Sequence, residues 1–477
     1  MHLSEERTNV LVINLVLAIA AFLSLLATGG VELLEFAPAQ ILVLLLATLT
    51  FWRRGFPRVP MLAASLLALP ILISLVQMAS LPPAWVAAIM PQRAALLETL
   101  LVPINALPDS LTLSFSPYDT RLALLRFVCY ALVFLLAFAA HQSLKERFGM
   151  ANLLLTIGVL EAAYGCLEFL IGQRYLLRFG RWMPTLEATG TFTNRNHFAG
   201  LLEMIVPFVL AQILFARLAG GSSRRSPWVN LIVSPLSSRL LLRIVLLSLL
   251  LIALVFSRSR MGILACLAGM FVVAAIGFLE QRKRHLLLVL ALVLSVPLAY
   301  SLWIGMSPVV ERFEQLAESN SVEDLGDVRL FIWSDTANLI RDYPWTGTGL
   351  GTYRWTSLHY QTALFPKIYV HAHNDYLEFA SEIGIPAALL LFAGLWVLAF
   401  RVARRALIAE SVREKTLAAG CAGALSAILI HSITDFNLQI PANAFVFSWI
   451  AGTALALLHK RSSRSPESSA IELKVAD

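Results

Sequence analysis

The sequence predicts an all-α polytopic membrane protein of about twelve transmembrane helices, with one large outward loop containing short helices. Three observations carry this expectation. Of the 477 residues, 58% are hydrophobic and only 14% are charged, where an ordinary soluble domain carries about a quarter. The mean hydropathy is +0.74. The apolar residues fall in repeated runs of about 20, the length of a helix that crosses the hydrocarbon core, not in the short alternating segments of a barrel.

The runs lie at 10–28, 37–52, 59–78, 121–140, 149–172, 197–216, 240–256, 261–279, 286–303, 377–400, 416–433 and 444–458. The first follows Glu5, Glu6 and Arg7 and lacks a small-residue cleavage site, so it reads as an uncleaved anchor. More than half of the 37 lysines and arginines gather in alternate short loops, such as Arg53-Arg54, Arg282-Lys283-Arg284 and Arg404-Arg405. By the positive-inside rule those loops and both termini are cytoplasmic. The same rule accounts for the net charge of +7 and the pI near 9.4 without nucleic acid. Cys129, Cys166, Cys266 and Cys421 all sit inside apolar runs with no ligand spacing, so neither a disulfide nor zinc is expected. The chain divides into N-terminal helices with an interfacial loop (1–120), core helices joined by arginine-bearing outward turns (121–303), the large loop (304–376), C-terminal helices (377–460) and a disordered tail (461–477). No internal repeat is visible, which argues against an inverted-repeat transporter.

The outward segments hold the polar chemistry. Segment 79–120 carries Pro82-Pro83 and Trp85 with few charges, and is expected along the interface. In the large loop, Val328, Phe331, Ile332, Asp335, Leu339 and Ile340 recur at helical spacing until Pro344. Gly347-Thr-Gly349-Leu-Gly351 lacks the spacing and the lysine of a phosphate loop and reads as a turn.

Four constellations stand out. Asp375 followed by Glu378 just before an apolar run reads as a capping box, which puts His373 outside a helix N-terminus, where a neutral imidazole is favoured. Such a group takes a proton from a hydroxyl. Asp375, Glu378 and Glu382 share one helical face; Glu382 falls about a turn into the bilayer and calls for a cation, which the outward arginines offer. Ser257-Arg258-Ser259-Arg260 is a nearly loopless turn. It reads either as an anchor to lipid phosphates or as a diphosphate clamp, because guanidinium matches phosphate oxygens two at a time. Asn194-Arg195-Asn196-His197 precedes another run, where Asn196 can be a simple cap and Arg195 is again a cation on the disfavoured side. His431 and Asp435, one turn apart at the end of a span, read as functional or as a self-satisfied pair. His371 and His373 lack a third ligand at metal spacing, so no metal is expected.

These motifs, in this order, resemble the O-antigen ligase and polymerase superfamily of bacterial polysaccharide enzymes. The likeness runs over residues 120–458. It is carried by Gly190-Thr-Phe-Thr-Asn-Arg-Asn196, Ser257-Arg258-Ser259-Arg260, Arg329-Leu-Phe-Ile-Trp333 leading to Pro344 through Gly351, His373-Asn374-Asp375-Tyr376-Leu377-Glu378, and His431 with Asp435. The resemblance implies a metal-independent, inverting glycosyl transfer at the periplasmic face of the bacterial inner membrane, in cell-surface polysaccharide biosynthesis. Its donor would be a glycan on undecaprenyl diphosphate and its acceptor a saccharide or lipid. It casts His373 as the base, Arg258, Arg260 and Arg195 as diphosphate ligands, and Asn374, Glu378, Glu382, Arg329, His431 and Asp435 as supporting residues, with no cofactor. The charge at Arg195 and His197 departs from the family's glycine-rich pattern. A lipid-linked glycan flippase and a protein O-oligosaccharyltransferase of the same superfamily are the alternatives; a flippase needs charge through the mid-membrane, whereas these clusters crowd one face.

Overall fold

A computed structural model describes residues 2–26, 28–104, 106, 108–140, 148–174, 183–216, 235–281, 328–362 and 369–459. The bundle is built from α1 (His2–Leu25), α2 (Leu33–Arg54), α3 (Met61–Met78), α6 (Pro117–Ala140), α7 (Phe148–Ile171), α8 (Arg195–Ala216), α9 (Pro235–Phe256), α10 (Arg260–Gln281), α14 (Ile385–Ile408), α15 (Val412–His431) and α16 (Pro441–Leu458). Among the described residues nine helices are long and apolar enough to cross a membrane, and α1 adds a shorter apolar stretch, Val10–Leu25. The chain is an all-α, multi-pass membrane protein. Every apolar run read from the sequence falls on these helices except 286–303, which lies outside the described residues, as do 304–327 and the tail 461–477.

The helices differ sharply in burial. In α8, 89% of the spanning window is buried within the protein, and in α16 94%, against 17% in α3 and 22% in α9. The first pair forms the axis of the bundle and the second its lipid-facing rim. The α15 helix packs against α8, α10 and α14. Its run of small residues from Ala418 to Ala424 lets the backbones come close, which is how helices associate where lipid competes for apolar contact.

One end of the bundle carries a cap. It consists of α4 (Pro83–Ile89), α5 (Pro91–Leu101), α11 (Val328–Asp342) and α12 (Tyr353–Thr356). Val86, Met90, Leu113, Leu339, Tyr343, Tyr353 and Ala372 form a second small core there. Arg93 donates to the Leu113 carbonyl at 2.7 Å and lies 4.4 Å over the Phe115 ring. Segment 79–120 therefore folds back onto the cap. The expected amphipathic helix after 328 is α11, and it buries Ile332, Asp335, Leu339 and Ile340, whereas Phe331 of the expected face is exposed and Val328 only half-buried.

The expected span 377–400 is not one helix. It breaks at Gly384 into α13 (Asp375–Ile383) and α14. Gly384 has φ 83°, and a Cβ there would lie 2.3 Å from the Trp345 carbonyl oxygen, so only glycine lets the two helices part at this point. The break keeps α13 in the cap and leaves the crossing to α14.

Candidate active site

The site is assembled where α8, α10, α11, α13 and α15 end together. Asn374, not Asp375, caps α13: its side chain accepts from the Leu377 N–H at 3.1 Å. The cap satisfies one of the helix's orphan donors. It releases Asp375 to accept from the Ser432 hydroxyl at 2.7 Å and the Leu438 N–H at 3.1 Å, which ties α13 to the turn after α15. Burial, opposed by those two hydrogen bonds, holds the Asp375 carboxyl well above the usual range.

Asp435 is the centre of the cluster. It follows α15 in a turn closed by its own N–H to the His431 carbonyl at 3.1 Å. Its Oδ1 lies 3.6 Å from Nδ1 of His373 and 3.8 Å from Nε2 of His197. Its Oδ2 accepts from Asn196 at 2.5 Å and faces Arg329 at 3.6 Å. Burial alone would raise this carboxyl; the His197 and His373 imidazoles and the charge near His431 outweigh it and hold Asp435 well below the ordinary value. Asp435 is thus a fixed anion ringed by donors, and His431 is not its partner. Nδ1 of His431 instead meets Oε2 of Glu203 on α8 at 2.9 Å.

The Ser257–Arg260 turn reaches the same cluster. Ser259 caps α10, accepting from the Gly262 N–H at 3.2 Å, and its hydroxyl donates to Asn196 at 2.9 Å. Asn196 therefore bridges the arginine turn and Asp435. Arg258 has φ 55° and His373 φ 48°, left-handed backbone that non-glycine residues seldom take. The buried Nε of Arg258 has no acceptor among the described residues. Arg260, the first residue of α10, points to the exterior. Arg195 has a closer partner, Glu187, at 2.5 Å, and no contact joins it to Asp435.

His371 and Glu378 form a separate pair. Nδ1 of His371 lies 2.7 Å from Oε1 of Glu378, whose other oxygen accepts from the Ala372 N–H at 2.8 Å. The Phe436 ring stands between the histidines: His371 stacks on it at 4.1 Å, while His373 and His197 meet it edge-on at 4.8 and 4.6 Å.

Glu382 does not meet a cation in the bilayer. It lies in α13 ahead of the crossing and accepts from the Tyr353 N–H at 3.2 Å, with the Gly351 and Thr352 amides also turned to it. The glycine-rich turn wraps this carboxyl in a nest of amides. The Thr348 and Gly349 N–H groups donate to the Ser381 and Glu382 carbonyls at 2.9 and 3.0 Å. Burial first, then the neighbouring Glu378, push the Glu382 carboxyl up to about 8.

Sequence reasoning missed Glu203, Phe436, and the two glutamates of α7 that position the 189–192 loop. Glu161 accepts from the Thr191 N–H and hydroxyl at 3.1 and 3.0 Å, and Glu168 from the Thr189 hydroxyl at 3.1 Å. A carboxylate inside an apolar run was the available signal for all three glutamates. Phe436 gave none.

The structure is an all-α membrane bundle with a capped cluster of charged and polar side chains at one end. Residues 245–392 match the family model for O-antigen ligase. The match covers about a third of the chain and makes that part of it similar to O-antigen ligases. The matched stretch contains Arg258, Arg329, His373 and Glu378; Asp435 and Glu203 lie outside it. No curated protein matches the chain.

Proposed function

We propose that the protein transfers a glycan from an undecaprenyl-diphosphate carrier to a saccharide or lipid acceptor at the periplasmic face, with inversion and without a metal. The observation that carries this reading is the position of His373 and Arg329 on the two oxygens of one buried anion, Asp435. Asp435 faces Nδ1 of His373 across 3.6 Å as a charge rather than a hydrogen-bond acceptor, and Nε2 is the nitrogen to receive the acceptor's hydroxyl proton. The oxygen attacks the anomeric carbon as the bond to the diphosphate breaks, and the carrier leaves with the electron pair. A lipid diphosphate departs readily once its charge is held. Arg329, with one side chain face open, and Arg258, with an unpaired buried Nε, are the cations suited to hold it. Arg260 and Arg195 stand further out in the same basic surround, Arg195 shared with Glu187.

The experiment is transfer from a synthetic undecaprenyl-diphosphate glycan by purified protein in detergent with EDTA, wild type beside His373→Ala. Product from wild type alone supports the reading. Donor binding without product on any acceptor moves the assignment to a carrier of the same lipid.

A further inference from the structure

A second imidazole–carboxylate pair stands beside the Asp435 cluster and has no part in the transfer step. Nδ1 of His371 lies 2.7 Å from Oε1 of Glu378, a full hydrogen bond. Nδ1 of His373, by contrast, faces Asp435 across 3.6 Å with no acceptor at bonding distance among the described residues. The Glu378 carboxylate is itself pinned, since its other oxygen accepts from the Ala372 N–H at 2.8 Å. A carboxylate on Nδ1 puts the proton there and leaves the lone pair on Nε2; it also stabilises the imidazolium formed when Nε2 takes up a proton. The Phe436 ring fixes the plane of the imidazole, stacked on it at 4.1 Å with 15° between the rings. Of the two imidazoles, His371 is the better preorganised as a base.

Its open nitrogen has water to act on. Glu378 is almost wholly buried, while the His371 side chain is 26% exposed. Nε2 of His371 is bonded to nothing among the described residues and is open to solvent. Both residues line a cavity of about 890 Å³, walled at this end by Asp119, Tyr353, Arg354 and Gln439 as well. Polar groups in a space of that size hold water. His373 meets the same Phe436 ring edge-on at 4.8 Å, so both imidazoles border one reacting centre. A purely structural pair needs only the bond between His371 and Glu378. It gives no reason for the other nitrogen to face a wet cavity beside the reacting centre.

Resting on the glycosyl-transfer reading above, we propose that the His371–Glu378 pair gives the protein a second activity, hydrolytic release of the glycan from its diphosphate carrier when no acceptor is seated. Nε2 of His371 takes a proton from water, and the water oxygen bonds the anomeric carbon as the bond from that carbon to the diphosphate oxygen breaks. Undecaprenyl diphosphate leaves with the electron pair. The glycan is freed as a reducing sugar of inverted anomeric configuration. Transfer and release share the donor and the arginines that hold its diphosphate. They differ in the imidazole that receives the proton, His373 for a hydroxyl and His371 for water. Release frees a carrier whose glycan finds no acceptor.

The test gives a synthetic undecaprenyl-diphosphate glycan, without any acceptor, to the purified full chain in detergent and in water labelled with heavy oxygen. Wild type releases free glycan that carries the label at its anomeric carbon, with undecaprenyl diphosphate as the other product. His371→Asn keeps an amide N–H for Glu378 but has no second nitrogen to take a proton. Its release falls on the order of 10²–10⁴, while donor binding by native mass spectrometry and the melting temperature stay as in wild type. Glu378→Gln removes the charge behind the imidazolium and lowers release as well, so that instability of one variant leaves the other to decide. Undiminished release in His371→Asn, label in the diphosphate instead of the sugar, or no release by wild type that binds the donor overturns the proposal. Failure of wild type to bind the donor counts instead against the transfer reading.

Discussion

Nδ1 of His431 lies 2.9 Å from Oε2 of Glu203, with both side chains fully buried between α15 and α8. Removing one partner of such a pair strands the other, at about 3–5 kcal/mol. Glu203→Ala or His431→Ala is expected to lower the melting temperature in detergent accordingly. Glu203→Leu combined with His431→Phe should recover most of the loss, because apolar residues of similar volume replace a buried pair at little cost. A double variant as unstable as either single one would show that the pair also serves as a required hydrogen-bonded brace.

Asp435→Asn keeps the shape of the hub and removes its charge. Without the anion His373 loses the charge 3.6 Å from its Nδ1 that stabilises the imidazolium formed on proton uptake, and turnover is expected to fall on the order of 10²–10⁴. Binding of undecaprenyl diphosphate, read by mass spectrometry, should change by no more than about threefold, since the arginines stay in place. The sign of the pH effect follows from the lowered carboxyl. Asp435 contributes stability above the unfolded value of about 4 and loses it as pH falls below that. The Asn variant should show a weaker acid-side loss in a melting series.

The Glu382 carboxyl runs the other way. Raised to about 8 in the fold, against about 4.3 in the unfolded chain, it contributes stability that is complete at low pH and is lost as pH rises through 8. Wild type is expected to melt at progressively lower temperature between pH 5 and 9. Glu382→Gln, which keeps an oxygen for the Tyr353 N–H and has no proton to lose, should flatten that slope. A slope identical in both would place the titrating group elsewhere.

Gly347→Ala tests the glycine-rich turn. With φ 63°, a Cβ there would lie 2.3 Å from the Glu382 carbonyl oxygen, against backbone that cannot give way. Gly55 has a similar φ, 74°, but open space around it. At φ 74° and ψ 169°, a region almost confined to glycine, Gly55→Ala should cost only the conformational term, about 1–3 kcal/mol, and Gly347→Ala clearly more, with loss of transfer. Differential scanning of the two variants side by side measures the difference.

The membrane bundle was legible because apolar run length is a property of the chain alone, and the α11 helix because its spacing is. Which residues would gather was legible only in part. His373, Asp435 and the Ser257–Arg260 turn were singled out as polar groups at helix ends and Arg329 through the family resemblance; His373, Arg329, Asp435 and Ser259 do converge, while Arg260 faces outward. Their pairings were not readable. His431 takes Glu203, a choice made by helix packing over a separation of 228 residues that no local pattern encodes, and Arg195 takes Glu187 because the loop before α8 folds back on its first residue. Glu382 was misplaced for a related reason: an apolar run does not reveal where a glycine interrupts the helix, so its depth was counted along a continuous rod.

That interruption has a mechanical consequence. Bilayers that thicken or thin make a spanning helix tilt, and α14 is the span that follows the segment bearing His373. At Gly384 the chain turns sharply, yet α13 stays bound to α14: the Tyr376 ring stacks on Phe392 at 4.0 Å, and Trp396 Nε1 donates to the Tyr376 hydroxyl at 3.0 Å. On its other side α13 is fastened to the Thr348–Tyr353 loop and to the turn after α15. Tilt in α14 therefore reaches α13 through these aromatic side chains, and the Asp435 cluster is coupled to the thickness of the membrane that holds it.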